Sequence, residues 1–212
     1  MEELQIRVSE ESVSALLMRP DDAKALYVFA HGAGAGMAHK SMTSNAQGLA
    51  ERGIASLRYQ FPYMENGSRR VDAPKVAQSA VRAAVAEAAR LARDLPLFAG
   101  GRSFGGRMTS QAQADSALPG VRGLAFIGFP LHPAGKPGIE RAEHLSRVEV
   151  PMLFVSADRD ALAELDLLKP VVADLGDRAT LRVVDGADHS FRVGAKEVEA
   201  LDAMAEWMLR LS

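Results

Sequence analysis

The stretch Gly101-Arg102-Ser103-Phe104-Gly105 decides the fold, because it suits a serine on a tight turn between a strand and a helix. A short apolar run, 95–99, precedes it, and a segment rich in Ala and Gln, 107–117, follows with helical character. Glycines stand two residues before and after the serine, where a larger side chain would collide with the neighbouring strand or helix. Such a turn holds its serine in a strained conformation with the hydroxyl exposed. The motif gains weight if an acid and a base follow it in the right order.

Short apolar runs alternate with helix-length segments along the rest of the chain. The runs 25–30, 54–57, 97–99, 121–127, 152–156 and 181–184 predict buried strands, and the segments 41–52, 74–93, 104–117, 162–175 and 196–211 predict helices. The runs 4–8 and 13–18 alternate in polarity and predict an antiparallel hairpin at one edge. Strands that alternate with helices require crossover connections. The sequence therefore predicts an α/β fold, a three-layer sandwich whose mostly parallel central sheet carries helices on both faces.

Length and composition are those of an ordinary globular protein. The 212 residues suit one domain spanning 1–212, and 48% of them are hydrophobic and 25% charged. A net charge of −2 indicates no nucleic-acid or anionic membrane partner. No apolar run is long enough to span a bilayer, and residues 1–11 lack the apolar region of a secretory signal. The absence of cysteine excludes disulfides, thiolate metal sites and a cysteine nucleophile, and it is compatible with the cytoplasmic location that we expect.

Candidate catalytic side chains follow three of the predicted strands: Ser103 after 97–99, Asp158 and Asp160 after 152–156, and His189 after 181–184. The carboxyl ends of parallel strands meet at one edge of a sheet, where functional groups collect. An imidazole can take the proton of a serine hydroxyl and return it to a leaving group, while a carboxylate orients the ring. We favour Asp160 as that carboxylate because a helix starts directly after it, and Asp158 is the alternative.

A glycine-rich turn, His31-Gly32-Ala33-Gly34-Ala35-Gly36, follows the strand 25–30 and can direct backbone N–H groups at a developing oxyanion. The N–H of Ala33 is our first candidate, paired with that of Phe104, and Gly34 is the alternative to Ala33. The ring of His31 is expected to brace this loop. We expect Arg102 to be an exposed arginine, with attraction of an anionic substrate as the alternative.

These motifs resemble the α/β-hydrolase superfamily, and within it the small, lidless branch that is similar to dienelactone hydrolase and contains testis-expressed and NSL-complex-subunit homologues. The resemblance extends over about 25–191, and its shared features are 31–34, 61–64, 101–106, 129–133, Asp160 and 188–189. The chain departs from the pattern at two positions. Ser103 stands where dienelactone hydrolase itself has cysteine, and Ala157 replaces the usual glycine before the acid.

The resemblance implies a serine esterase that acts on small ester, thioester or lactone substrates without a metal or organic cofactor. The segment from 129 to 152 is too short for a large cap domain, which predicts an open site. Four residues in loops after strands are candidates for contacting the substrate, with plain packing as the alternative for each: Tyr63, Met64, Phe129 and His132. The sequence indicates no oligomeric state.

Three other functions are alternatives to the serine esterase. The turn at 32–36 resembles a dinucleotide-binding fingerprint, but Met37 stands where its last glycine belongs and Arg58, not an acid, ends the next strand. The segment 101–106 has the glycine spacing of a P-loop but continues with Arg107-Met108 instead of Lys-Ser/Thr. A binding or scaffold protein that keeps the hydrolase fold without the chemistry is the remaining alternative.

Overall fold

The computed structural model describes residues 1–191 and 194–212, whose strands form one eight-stranded sheet in the order β1-β2-β4-β3-β5-β6-β7-β8. The two edge strands β1 and β2 form an antiparallel hairpin, and β2 also runs antiparallel to β4. The other neighbouring pairs are parallel. The strands are β1 Glu2–Val8, β2 Glu11–Met18, β3 Ala25–Ala30, β4 Ile54–Tyr59, β5 Leu97–Arg102, β6 Val121–Ile127, β7 Met152–Arg159 and β8 Ala179–Asp188.

Helices cover both faces of the sheet. Those on one face, α1 and α6, pack into one apolar cluster with the strands, and α3, α4 and α5 pack into a second cluster on the opposite face. The helices are α1 Lys40–Ala50, α2 Pro62–Glu65, α3 Pro74–Leu91, α4 Phe104–Asp115, α5 Leu165–Asp174 and α6 Ala195–Arg210, with 3-10 helices at Glu140–Arg147 and Gly176–Arg178. The three-layer α/β architecture predicted from the sequence is confirmed.

The central strand β3 explains why this sequence builds a sheet that is covered on both sides. Alternate side chains of a strand point to opposite faces. In β3, Leu26 and Val28 join the apolar cluster under α3, while Tyr27 and Phe29 join the cluster under α1 and α6. All six residues of this strand are buried, so both of its faces must be apolar. The sequence of the strand is therefore a continuous hydrophobic run.

The strand order reverses at β3, and this reversal positions the site. Helix α1 connects β3 to β4 on one side, whereas α3 carries the chain back across to β5 on the other side. In open parallel sheets, ligands bind beyond the carboxyl ends of the strands at such a switch point. The loop after β3 and the turn after β5 therefore begin next to each other.

The predicted elements are present, and the differences lie at their ends. Strands β3 and β6 have the predicted bounds, while β7 and β8 extend further toward their carboxyl ends. The short helix α2 was not predicted, because Pro62 starts a single turn with little periodicity. Ala73 is the N-cap residue of α3 and makes no side-chain hydrogen bond to the helix. The side chain of Asp72 instead accepts a hydrogen bond from the backbone N–H of Tyr63 at 3.1 Å. In the described ranges, the helices are all too short or too polar to cross a bilayer.

Candidate active site

Ser103 occupies a sharp turn between β5 and α4. Its φ of 45° and ψ of −114° place a non-glycine residue in a conformation that costs free energy. The flanking glycines allow the turn to lie against β3, because a Cβ at Gly101 or at Gly105 would approach the carbonyl oxygen of Ala30 to 2.3 Å or 2.6 Å. The strain and the glycine requirement expected from the sequence are both found in this turn.

Ser103, His189 and Asp160 form a continuous chain of hydrogen bonds. The Ser103 Oγ lies 3.0 Å from Nε2 of His189, and Nδ1 of the same ring lies 2.7 Å from Oδ2 of Asp160. The other carboxylate oxygen of Asp160 accepts the backbone N–H of Leu162 at 2.8 Å, which fixes the orientation of the carboxylate. Since a carboxylate accepts the proton on Nδ1, the neutral ring presents an unprotonated Nε2 to the serine hydroxyl.

The pairing of β7 with β8 brings the acid and the histidine together. Arg159, the last residue of β7, lies opposite Asp188, the last residue of β8. The residues that directly follow the two strands, Asp160 and His189, are therefore neighbours. Asp160 is 2% exposed, whereas Asp158 is exposed at the end of β7 and is not the hydrogen-bond partner of His189. The geometry thus places Asp160, and not Asp158, beside the imidazole.

Two further residues shape the surroundings of His189, and the sequence reasoning missed both. Gly128 has a φ of 62°, and a Cβ there would lie 3.3 Å from Nδ1 and Cε1 of His189. Phe191 is buried against the cluster under α1 and α6, yet its φ is 41°, which is rare for a bulky residue. A glycine directly after a buried strand is the sequence signal that could have indicated the first of them.

The loop after β3 is braced by His31, as expected. Its Nε2 accepts the N–H of Phe61 at 3.1 Å, so the proton of the neutral ring is on Nδ1, which donates to the carbonyl oxygen of Gly32 at 2.8 Å. Burial lowers the pKa of His31 to about 4 and keeps the ring neutral near pH 7. Because a trans peptide directs its C=O and N–H to opposite sides, fixing the Gly32 oxygen also fixes the N–H of Ala33.

The two candidate oxyanion donors lie at the edge of the same site. Ala33 lines the cavity together with Ser103. Phe104 is the first residue of α4, and the N–H groups in the first turn of a helix have no acceptor within the helix. The positive end of the helix dipole adds to the field at this position. Two backbone donors near one serine can stabilise a negative oxygen.

The fold and the site agree with a family assignment. The family described as "Alpha/beta hydrolase domain" matches residues 23–210, which is most of the chain. The chain belongs to this family. This α/β-hydrolase domain has its glycine-rich turn, its serine turn, its acid and its histidine all inside the matched range.

Solved structures share the fold of this α/β-hydrolase domain at low sequence identity. A dienelactone hydrolase from Anabaena variabilis matches with a TM-score of 0.82 and 19% identity over 99% of this chain and 98% of that chain. XC6422 from Xanthomonas campestris, an α/β serine hydrolase without a lid, matches with a TM-score of 0.73 and 20% identity over 99% and 92%. Est1E from Butyrivibrio proteoclasticus, solved with ferulic acid bound, matches with a TM-score of 0.79 and 17% identity over 98% of each chain.

A cavity of about 690 Å³ opens beside Ser103 in this hydrolase domain. Its walls come from the loop after β3, the first turn of α1 and the loop that carries His189. Ile127, Leu162 and Phe191 supply apolar surface, and Lys40 and Arg102 supply positive charge. Its volume is in the range of cavities that hold small organic molecules.

The four candidates for contacting the substrate lie outside the lining of this cavity. Tyr63, Phe129 and His132 are buried and Met64 is half-buried. The physical reason is the side of the sheet on which they pack: Tyr63 and Phe129 join the cluster under α3 and α4, whereas the cavity opens toward α1. His132 is hydrogen-bonded to Glu164 and to the carbonyl oxygen of Pro133.

Proposed function

We propose that this protein is a serine hydrolase that cleaves small ester, thioester or lactone substrates through Ser103, His189 and Asp160. The observation that carries the proposal is the continuous hydrogen-bond chain from Asp160 through His189 to the strained Ser103. A serine hydroxyl is a weak nucleophile near pH 7, and a neutral imidazole within hydrogen-bond distance supplies the base that it needs. The family supports hydrolase chemistry, and the site supports serine as the nucleophile.

The proposed cycle has two acyl-transfer steps. Oγ of Ser103 bonds to the carbonyl carbon while its proton moves to Nε2 of His189. The tetrahedral oxyanion is held by the N–H groups of Ala33 and Phe104, donors of a type worth roughly 3 kcal/mol each in a transition state. The carbon–oxygen or carbon–sulfur bond then breaks, and the leaving group takes the proton from His189. Water attacks the acyl-enzyme, gives a proton to His189, and the acid is released as Ser103 regains that proton.

The cavity supports a small substrate. It lies at the open edge of the sheet, and the connection from β6 to β7 adds a loop and one 3-10 helix instead of a cap domain. The apolar patch formed by Ile127, Leu162 and Phe191 suits a short acyl chain or a ring. Est1E, which shares the fold, was solved with ferulic acid bound, and on that likeness we propose a comparable acyl group here.

A fluorophosphonate probe tests the nucleophile. The wild type is expected to be labelled, and Ser103→Ala is expected to lose both labelling and hydrolysis of p-nitrophenyl acetate, because the probe and the ester need the same oxygen. Ser116, which lies at the end of α4, supplies the control Ser116→Ala, which keeps its labelling. Persistent labelling of Ser103→Ala would refute the assignment, and a folded wild type that never reacts would favour the non-catalytic scaffold.

The matched pair Asp160→Asn and Asp158→Asn tests the acid. The N–H of Leu162 keeps the oxygen of an amide at 160, so the amide N–H group faces Nδ1 in place of the carboxylate oxygen. This donor favours the tautomer that carries its proton on Nε2 and cannot accept the serine proton, so a fall in kcat of up to roughly 10⁴-fold is expected. Asp158→Asn leaves the hydrogen bonds of His189 unchanged and retains activity near that of the wild type. Equal rates for the two variants would mean that the acid is misassigned.

A further inference from the structure

Arg102, which directly precedes the serine, is joined to the loop that carries His189. Its guanidinium donates from Nη2 to the carbonyl oxygen of Ser190 and from Nη1 to Oδ1 of Asn45 at 2.9 Å. The carbonyl oxygen of Ser190 belongs to the residue that follows the histidine. One planar guanidinium therefore spans β5, α1 and the loop after β8.

Buried partners hold the guanidinium in place. Asn45 is 1% exposed and donates from Nδ2 to Oε1 of Glu197 at 2.5 Å, and Ser44 donates to the other carboxylate oxygen at 2.9 Å. Glu197 is 4% exposed and lies in the first turn of α6. Burial lowers the pKa of Arg102, and the charge of Glu197 opposes that effect. The opposite charges of Arg102 and Glu197 thus face each other across the amide of Asn45.

We propose that Arg102 is a positioning residue, which sets the place of His189 relative to Ser103 by holding the carbonyl oxygen of Ser190, with Asn45 and Glu197 fixing its guanidinium. The proposal rests on the serine hydrolase function proposed above. The network reaches the chain at two points after the histidine, at Ser190 and at Glu197. It thereby fixes the segment that must keep Nε2 at 3.0 Å from the serine oxygen.

A charged side chain in the cavity wall has one obvious competing role, which is to bind an acidic substrate. Arg102 uses Nη1 and Nη2 on Asn45 and Ser190, so two of its donor groups already have protein acceptors. A bidentate grip on a substrate carboxylate needs two such donors in one plane. Three N–H groups of the guanidinium remain for a substrate, so kinetics with neutral and anionic esters are used to separate the two roles.

The experiment compares Arg102→Met and Arg102→Lys with Arg52→Met as the matched control. Arg52 also joins α1 to α6, through Asp202 at 2.7 Å, but it lies outside the cavity lining. Hydrolysis of p-nitrophenyl acetate and of mono-p-nitrophenyl succinate is measured for each variant. Arg102→Met is expected to lower kcat by roughly 10- to 100-fold for both esters with KM unchanged, because a misplaced base slows chemistry without weakening binding.

The conservative variant Arg102→Lys is expected to lower kcat by an intermediate amount. Lysine keeps the charge and reaches one of the two acceptors but not both, so Arg102→Lys falls between Met and the wild type. Glu197→Gln keeps an acceptor for Asn45 and loses the charge, and it is expected to reduce kcat by less than Arg102→Met does. A rise in KM for the succinate ester alone, with kcat unchanged, would overturn the positioning role in favour of substrate binding.

A measurement without turnover keeps the two proposals distinguishable. Amide hydrogen exchange of the segment 186–191 is expected to accelerate in Arg102→Met and to stay at the wild-type rate in Arg52→Met, whether or not the protein hydrolyses any ester. Unchanged exchange in Arg102→Met would refute the positioning role while leaving the serine hydrolase function intact. An inactive wild type would refute that function, and the exchange rates would still decide whether Arg102 holds the loop.

Discussion

At the residue scale, backbone strain is concentrated around the candidate triad. Of the three non-glycine residues with positive φ in the described ranges, Ser103 and Phe191 line the cavity, and Ser9 lies in the turn between β1 and β2. Each such conformation costs on the order of 1–3 kcal/mol and persists only where the surrounding packing determines it. A hairpin turn tolerates the left-handed region for local reasons, but the other two residues hold the serine and the histidine loop in place.

Gly128 offers a residue-scale test with a matched control. An alanine at Gly128 meets a positive φ of 62° and also places its Cβ 3.3 Å from the ring of His189. An alanine at Gly135 meets a φ of 69° with nothing within 4 Å. Both substitutions should lower the free energy of unfolding by about 1 kcal/mol, the cost of the left-handed conformation. Only Gly128→Ala should also lower kcat, because it displaces the imidazole.

Stability is measured by urea unfolding, and kcat by hydrolysis of p-nitrophenyl acetate. If both variants kept the wild-type kcat, the space at Gly128 would have no role in placing His189.

The residues of the candidate triad were predictable because each carries a local signal. Ser103 has its glycines, Asp160 and His189 follow apolar strands, and the order along the chain is informative. Arg102 had no such signal and was taken as exposed. Its partners Asn45 and Ser190 lie 57 and 88 positions away, and only the folded chain brings them together. The packing of Tyr63, Phe129 and His132 was also not predictable, since the sequence does not say which face of the sheet a loop residue packs against.

At the element scale, the register of β5 against β6 positions Ser103. Arg102 pairs with Ile127 at the end of β5, and the N–H of Ser103 continues this ladder by donating to the carbonyl oxygen of Ile127 at 3.0 Å. Strands of this kind were predictable because both faces are apolar. Register was not predictable, because it depends on pairing between distant segments. Helix α2 was missed for a related reason, as four residues give no periodicity.

The connection between β6 and β7 predicts the size of the preferred substrate. A cap domain would enclose a long acyl chain, and each buried methylene would then contribute about 0.8 kcal/mol to binding. Here the connection contributes the 3-10 helix Glu140–Arg147, which packs against α4 and leaves the cavity open. We therefore expect kcat/KM for p-nitrophenyl esters to be highest for short acyl chains and to decrease toward decanoate.

The ester series is measured with Ser103→Ala as the background. A strong preference for decanoate would contradict the open site, since it would require the enclosing surface that a cap domain supplies.

At the scale of the whole molecule, two buried histidines couple stability to pH. Burial lowers the pKa of His31 to about 4, and burial together with the charges of Arg147 and Arg107 lowers the pKa of His144 to about 4. His144 is hydrogen-bonded through Nε2 to Oγ of Ser110 at 2.7 Å, which ties the 3-10 helix Glu140–Arg147 to α4. His31 ties the loop after β3 to Phe61. The Nε2 of His31 accepts its hydrogen bond, so that contact requires a neutral ring.

The sign of the pH effect follows from the lowered pKa values. An unfolded histidine takes up its proton near pH 6.5, whereas both rings in the native state resist it until about pH 4. Between these limits the unfolded chain binds more protons, so the free energy of unfolding falls as the pH is lowered. Each histidine contributes a slope of at most about 1.4 kcal/mol per pH unit in this window. Urea unfolding between pH 7 and pH 5 measures the combined slope.

His144→Gln isolates one of the two contributions. The amide of glutamine can still hydrogen-bond to Ser110 but does not titrate, so the variant should lose stability at pH 7 and yet show a shallower decline toward pH 5. The exposed His39 supplies the control His39→Gln, which leaves both buried rings in place. If His144→Gln and the wild type declined in parallel, the ring of His144 would not be the buried neutral group that its packing implies. The acid sensitivity would then have to come from His31, whose ring holds the loop after β3 to Phe61.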